Sequence, residues 1–265
     1  MKQKTISIHS SRGGTGKTLI ASNLAAIYAN RGLNVALLDL DFHAPSLYAV
    51  FSKYTKNSHV CSLNDYFDNR CTAKQAMLDS TETIGLKGRL LVGFADPSVD
   101  AIRNMLQKSR AWEVTAVKRL FSLLSTLFHD MEIDCCIFDT SPGIHYTSVN
   151  AVVSSDISVI VATPDLIDLK GVETMLKELF NALSKKTAVV INKIFPETVN
   201  CQTSKQKELV SYMQQNLKHL IIGSIPCYCE VLQADRSSLL VINKPNHPFS
   251  KNLEEIANKI EQSIQ

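Results

Sequence analysis

The chain is 265 residues long, with 45% apolar and 20% charged residues and a formal net charge of +3. That balance describes an ordinary globular protein with enough apolar mass for a large core, mildly basic but not basic enough to argue for nucleic acid as a partner. No apolar run reaches the roughly 18 residues needed to cross a bilayer, and seven cysteines without a Cys-x-x-Cys pair read as thiols of a reducing cytoplasm rather than a disulfide framework.

Met1-Lys2-Gln3-Lys4 shows no signal-peptide architecture, and the alternating run Ile6-Ser7-Ile8-His9 predicts a strand. Ser10-Ser11-Arg12-Gly13-Gly14-Thr15-Gly16-Lys17-Thr18 follows, and an apolar-periodic segment from Leu19 to Ala29 predicts a helix. Strand, glycine-rich loop and helix start make a phosphate-binding loop. Gly13, Gly14 and Gly16 let successive N–H groups point at a phosphate, and the helix opening at Lys17 adds its free N–H groups and dipole. Lys17 is placed to reach the β- and γ-phosphates, and the Thr18 hydroxyl to ligate Mg²⁺. Ser11 stands where the usual loop pattern begins with glycine.

A second strand, Val35 to Asp41, ends in two carboxylates. Asp39 and Asp41 lie two apart, so on a strand they share a face, and at its carboxyl end they belong on the ligand side of an open α/β sheet. Phe42 to Asp79 is less regular, with short helical pieces expected at Ser46–Phe51, Leu63–Phe67 and Ala73–Leu78. Arg89 to Ala95 predicts a third strand. Trp112 to His129 predicts an amphipathic helix whose Val114, Val117, Leu120, Phe121, Leu124, Leu127 and Phe128 form a core stripe. Asp134 to Asp139 is a buried strand tipped by an acid, where a metal near a phosphate loop needs a carboxylate, and Gly143 in the loop beyond can offer its N–H to a γ-phosphate.

Asp156 to Ala162 predicts another strand, followed by a helix through about Leu183. Thr187 to Ile191 predicts the next strand, and Asn192 after it carries the donor and acceptor a purine edge requires, or simply makes a strand-end turn. Leu220 to Pro226 predicts the last strand. A C-terminal helix from about Phe249 carries Leu253, Ile256, Ala257, Ile260 and Ile264 on one face. Its polar face holds Glu254, Glu255 and Glu261 against Lys251 and Lys259, which suits a helix closing the sheet better than a membrane anchor. The alternation of strands and helices predicts one α/β domain over residues 1–265, a mostly parallel, doubly wound sheet with helices on both faces, which the phosphate-binding loop makes a P-loop NTPase sheet.

Arg12-Gly13-Gly14-Thr15-Gly16-Lys17-Thr18 resembles the deviant Walker A loop of the ParA/MinD class of P-loop ATPases, in which lysine normally precedes Gly-Gly. Asp39-Leu40-Asp41-Phe42-His43-Ala44-Pro45-Ser46-Leu47 resembles the switch I segment of that class. Asp139-Thr140-Ser141-Pro142-Gly143 resembles its Walker B and switch II segment. Asn192 and the loop after Pro226 match the places where the class holds adenine. The resemblance covers nearly the whole chain.

It implies ATP bound by Gly13, Gly14, Thr15, Gly16, Lys17, Thr18, Leu19, Asn192 and Pro226, with Mg²⁺ near Thr18, Asp39 and Asp139. It implies catalysis by Arg12, Lys17 and Asp41, in a homodimer closed over two nucleotides to which each subunit lends Arg12. Arginine at that position is permanently charged and can grip two phosphate oxygens, but its fork is larger and flatter than an ammonium. By the same resemblance the dimer positions cellular cargo such as chromosomes, plasmids, or division or motility machinery, with an activating protein partner. Non-specific DNA is a candidate tether, through Arg103, Lys108, Arg110, Lys185, Lys186, Lys205 and Lys207. The competing readings are a metallocluster carrier of the Mrp type, for which Cys227 and Cys229 are the poor candidate pair, and a ligase-like biosynthetic enzyme.

Overall fold

The computed structural model of the chain describes residues 2–55, 61–181, 183–194, 209, 211–213, 215–217, 220–233 and 239–264. Its strands are β1 (Lys4–His9), β2 (Val35–Leu40), β3 (Leu78–Asp79), β4 (Leu90–Gly93), β5 (Cys135–Thr140), β6 (Ile157–Ala162), β7 (Lys186–Ile194) and β8 (Ile221–Pro226). They form one sheet in the order β3-β4-β2-β5-β1-β6-β7-β8. All pairings are parallel except that of β3 with β4, which is antiparallel and lies at one edge. Parallel strands need helical crossovers, so both faces are covered. This is why β2, β5 and β6 are apolar along nearly their whole length and buried throughout.

Helix α1 (Lys17–Asn30) follows β1 and is buried almost all round. Ala21, Ala25, Ala26 and Ala29 let its backbone lie close to the sheet, in a core with Ile6 and Ile8 of β1 and Val35 and Leu37 of β2. The short helices α2 (Leu47–Phe51) and α4 (Thr81–Ile84) pack on the same face as α1, while the opposite face is covered by α3 (Leu63–Phe67), α5 (Val99–Leu106), α6 (Arg110–Ser125), α7 (Tyr146–Val153) and α8 (Leu166–Met175). The C-terminal helix Pro248–Ile264 buries the expected Leu253, Ile256, Ala257, Ile260 and Ile264 in the α1 core. Tyr28 donates its hydroxyl to the Ala257 carbonyl at 3.2 Å. Arg31 binds Glu254, Glu261 and Asn258 of the same helix, so this helix closes the sheet. No helix of the described residues is long and apolar enough to cross a membrane.

Three local expectations are corrected. The short helical piece expected around Ala73–Leu78 is confined to a single 3₁₀ turn, Lys74–Ala76, and Leu78 already belongs to β3. Val114 and Phe121 are 52% and 50% exposed, while the buried stripe of the α6 segment is Ala116, Leu120, Leu123, Leu124 and Leu127. At 3.6 residues per turn, Val114 and Phe121 fall about a third of a turn from that stripe. Strand β7 runs on to Ile194, so Asn192 lies within the strand rather than after it.

Gly223 of β8 sets the approach of the C-terminal helix. A Cβ there would lie 2.5 Å from Cγ1 of Ile256. Gly223→Ala is therefore expected to wedge the helix outward and destabilise the fold by about 1–3 kcal/mol, read from denaturant midpoints. An unchanged midpoint would show that Ile256 can yield without loss.

Candidate functional site

The carboxyl ends of β1, β2 and β5 meet at the loop between β1 and α1. Gly16 caps α1 with φ 100°, a conformation that favours glycine, and a Cβ there would lie 2.4 Å from the Asn192 amide nitrogen. Gly14 also has positive φ, 79°. Gly13 and Gly14 are exposed and Thr15 is buried, while Leu19, half-buried one turn on, receives Ser22 and Asn23 at its carbonyl. The N–H of Gly143 donates to the Ser10 carbonyl at 2.8 Å, so the loop after β5 is fastened to the glycine-rich loop.

Lys17 is 7% exposed at the base of this loop. Burial lowers its pKa, opposed by the charges of Asp139, Asp41 and Asp168. Thr18 donates its hydroxyl to Asp139 Oδ2 at 2.6 Å and lies 2.9 Å from the Ser46 hydroxyl. Asp139 is fully buried, and its Oδ1 has no hydrogen-bond partner among the described residues. Burial pushes the Asp139 carboxyl up to about 7, against the pull of Thr18 and Lys17. An orphaned buried carboxylate oxygen beside a hydroxyl is costly unless a cation completes it. The hard oxygen donors of Thr18 and Asp139 therefore fit Mg²⁺.

Parallel pairing of β2 and β5 puts Asp39 directly beside Asp139. Asp39 is wholly buried, and burial, then the neighbouring Asp139, raises its pKa well above the usual range. Both its oxygens accept backbone N–H groups, from Asp41 at 3.1 Å and Leu47 at 3.2 Å. In this conformation it shapes the segment after β2. Asp41 accepts from Ser141 Oγ at 2.9 Å and the Ala44 N–H at 3.1 Å on one oxygen, leaving Oδ2 without a partner among the described residues. The Ser141 bond joins the segments after β2 and β5. His43 and His145, one on each, stack with ring centroids 5.4 Å apart.

Arg12 folds back on its own chain. Its Nη2 donates to Thr163 Oγ1 at 3.1 Å and lies 3.4 Å from Asp165, and its Nε is 3.5 Å from Asp168. Asn192 is drawn under the loop. Its amide donates to the Thr15 carbonyl at 2.8 Å, and its oxygen accepts the Lys193 N–H at 2.9 Å. Lys193 reaches the Gly14 carbonyl at 2.7 Å. Pro226 ends β8 opposite Ile194, with Cys227 bonded to the Ile194 carbonyl at 2.7 Å.

Sequence reasoning missed the Asn192–Lys193 grip, the Ser141–Asp41 bond and the Ser11–Asp168 bond. Ser11 in a glycine position was the visible signal for the last. Of the basic tether residues, Lys185 caps the carbonyls of Val153 and Ser155, Lys186 reaches the Ser263 carbonyl, Lys108 pairs with Asp68, and Arg103 lies 3.9 Å from Asp100. Lys205 and Lys207 lie outside the described residues. Among the described residues no group of three or more His, Cys, Asp or Glu is placed to hold a metal, Cys227 and Cys229 included.

His9, at the tip of β1, is buried, and it shares a 2.7 Å hydrogen bond with Thr140 Oγ1. Because Thr140 donates onward to the Ile8 carbonyl, the network assigns the proton to His9 Nδ1. Burial, then Lys17 and His145, lowers its pKa to about 3. Below about 6.5 the unfolded chain takes up a proton on His9 that the folded chain refuses. The stability present above that pH is lost as pH falls toward 3. His9→Gln, which keeps a donor for Thr140, is expected to flatten the acid limb of thermal melts between pH 7 and 4. An unaltered limb would assign the loss to other groups.

The sequence model of the family described as "ParA: NUBPL iron-transfer P-loop NTPase" matches residues 2–261. The septum site-determining protein MinD of Thermotoga maritima is 26% identical over 261 residues, covering 96% of this chain and 87% of that protein. An iron-sulfur cluster carrier protein of Aquifex aeolicus is 26% identical over 274 residues, covering 98% of this chain and 68% of that protein. Among solved structures, the MinD cell division protein of Aquifex aeolicus superposes with a TM-score of 0.75 at 21% identity, covering 98% of this chain and 97% of that one.

Proposed function

The chain belongs to the ParA family of P-loop NTPases, and on that premise we propose that it is a Mg²⁺-dependent ATPase whose ATP-bound form is a homodimer. Residues 1–265 act as one ATPase domain, working in the cytoplasm to position or partition cargo with an activating protein partner. The observation that carries the ATPase reading is the Asp139 Oδ1, without a partner among the described residues and buried beside the Thr18 hydroxyl at the foot of the glycine-rich loop.

The loop N–H groups from Gly13 to Thr18 cradle the phosphates, and the buried Lys17 ammonium neutralises the β- and γ-oxygens. Thr18 and Asp139 would hold Mg²⁺, which supplies charge neutralisation along the phosphate chain. Asp41 keeps Oδ2 available to orient the attacking water, while its Oδ1 is fixed by Ser141 and Ala44. Gly143, tied to Ser10 in this conformation, is placed to trade that carbonyl for a γ-phosphate oxygen. Arg12 extends to the partner subunit's nucleotide, where a guanidinium stabilises transferring charge. Loss of the γ-phosphate frees the segments that contain Asp41 and Gly143, and the dimer parts.

A second reading, iron-sulfur cluster transfer, draws on the family description and the Aquifex aeolicus carrier. One preparation decides between them. The ATPase reading expects release of ADP and phosphate from ATP that requires Mg²⁺, in a colourless protein. A brown protein with stoichiometric iron and no turnover would favour the carrier.

A further inference from the structure

We propose that Asp168 is the positioning residue for Arg12, and that Ser11 is the part of the loop that locks it in place. The proposal rests on the cross-subunit role given to Arg12 above and goes beyond it by naming what aims the guanidinium. Asp168 lies in α8, 157 residues from Ser11 in sequence, yet its side chain is 0% exposed against the loop. Its Oδ2 accepts the Thr163 N–H and the Thr163 hydroxyl, each at 2.8 Å. Its Oδ1 accepts the Ser11 hydroxyl and faces Arg12 Nε at 3.5 Å. Among the described residues Arg12 is its only ion-pair partner, and a buried carboxylate holds a paired cation firmly because losing it leaves an uncompensated charge.

The result is a directed guanidinium. Nε and Nη2 are held by Asp168, Thr163 and Asp165, all at or just before the start of α8, while Nη1 has no partner among the described residues. That nitrogen is left for an anion in the open cleft that Arg12 shares with Gly13, Pro164 and Lys193. A fork with one edge already fixed gives up less freedom on meeting a phosphate than a free side chain does. Ser11, in the position where such loops usually carry glycine, supplies the hydroxyl that joins the loop to Asp168. Gly171, one turn along α8, leaves room for it: a Cβ there would lie 3.2 Å from both Cβ and Oγ of Ser11.

The test is a double-mutant cycle in the Asp41→Ala background, reading the dissociation constant of the dimer in ATP by sedimentation. Asp168→Asn keeps the shape and removes the charge. It is expected to weaken the dimer about tenfold when Arg12 is present and to change nothing when Arg12→Ala is already in place. Ser11→Ala is expected to act in the same direction, by about threefold, with the same dependence on Arg12. Equal losses in both backgrounds would reduce Asp168 to a structural residue and overturn the proposal. Tighter dimers in Asp168→Asn would mean that the carboxylate holds Arg12 back, which overturns it as well. If Arg12→Ala alone leaves the dimer intact, the cross-subunit reading itself fails and takes this one with it.

Discussion

Lys17→Ala is expected to lower ATP turnover by about 10²–10³-fold, the usual loss when one preorganised charge at a phosphoryl site is removed. Lys17 is nine-tenths buried, and the surrounding carboxylates of Asp139, Asp41 and Asp168 favour its charged form against the burial that opposes it. The ammonium is therefore already desolvated and aimed before nucleotide arrives, and water cannot replace it. ATP affinity should fall together with turnover, because the same cation meets the phosphates in the ground state and the transition state. Single-turnover hydrolysis and equilibrium ATP binding on the variant, with circular dichroism to establish folding, separate the two. Turnover within threefold of the parent would remove Lys17 from the site.

Asp139→Asn is expected to move activity and stability in opposite directions. Asparagine can still accept the Thr18 hydroxyl but cannot be the anionic partner of Mg²⁺, so turnover should fall about 10²-fold and its magnesium dependence should flatten. In nucleotide-free protein the buried carboxylate is a burden. Its pKa, pushed up to about 7 from the ordinary 3.8, means that the folded chain holds a proton that the unfolded chain releases between those values. Stability on this account falls as pH rises through that window and stays low above it. Removing the charge should therefore raise the melting temperature of the apo-protein at pH 8 and erase that fall. A variant that loses activity and melts lower would make Asp139 an ordinary structural carboxylate.

The parts of the fold legible in the sequence are those decided locally. Gly14 and Gly16 announce a loop because their backbone requirement is their own. Asp39, Asp41 and Asp139 stand out because an acid ending an apolar strand has little structural reason to be there. The C-terminal helix reads correctly because its five apolar positions repeat at helical spacing. What sequence could not supply is which acceptor a polar side chain finds.

Asn192 has the donor and acceptor of a base-reading residue, and β7 carries it under the loop, where it also bonds Thr15 and Lys193. Asp39 has the place of a metal ligand, yet the turn it begins returns two N–H groups to it. Ser11 and Asp168 are joined only because β1 and β6 are neighbours in the sheet, a pairing fixed by long-range packing. The α6 segment shows the same limit for apolar residues: periodicity finds a stripe, but which positions flank it depends on the angle at which the helix lies.

The proposed dimer switch is tested most directly by the mass of the protein in solution. Asp41→Ala, which slows hydrolysis by removing the water-orienting carboxylate, should double its mass with ATP and Mg²⁺ and remain monomeric with ADP. At the same protein concentration, adding Arg12→Ala should shift the ATP sample to the monomer while leaving ATP bound, with a dimer dissociation constant that is raised but still measurable at higher concentration. A mass that never responds to ATP, in protein shown to bind it, would contradict both the switch and the part that Arg12 plays in it.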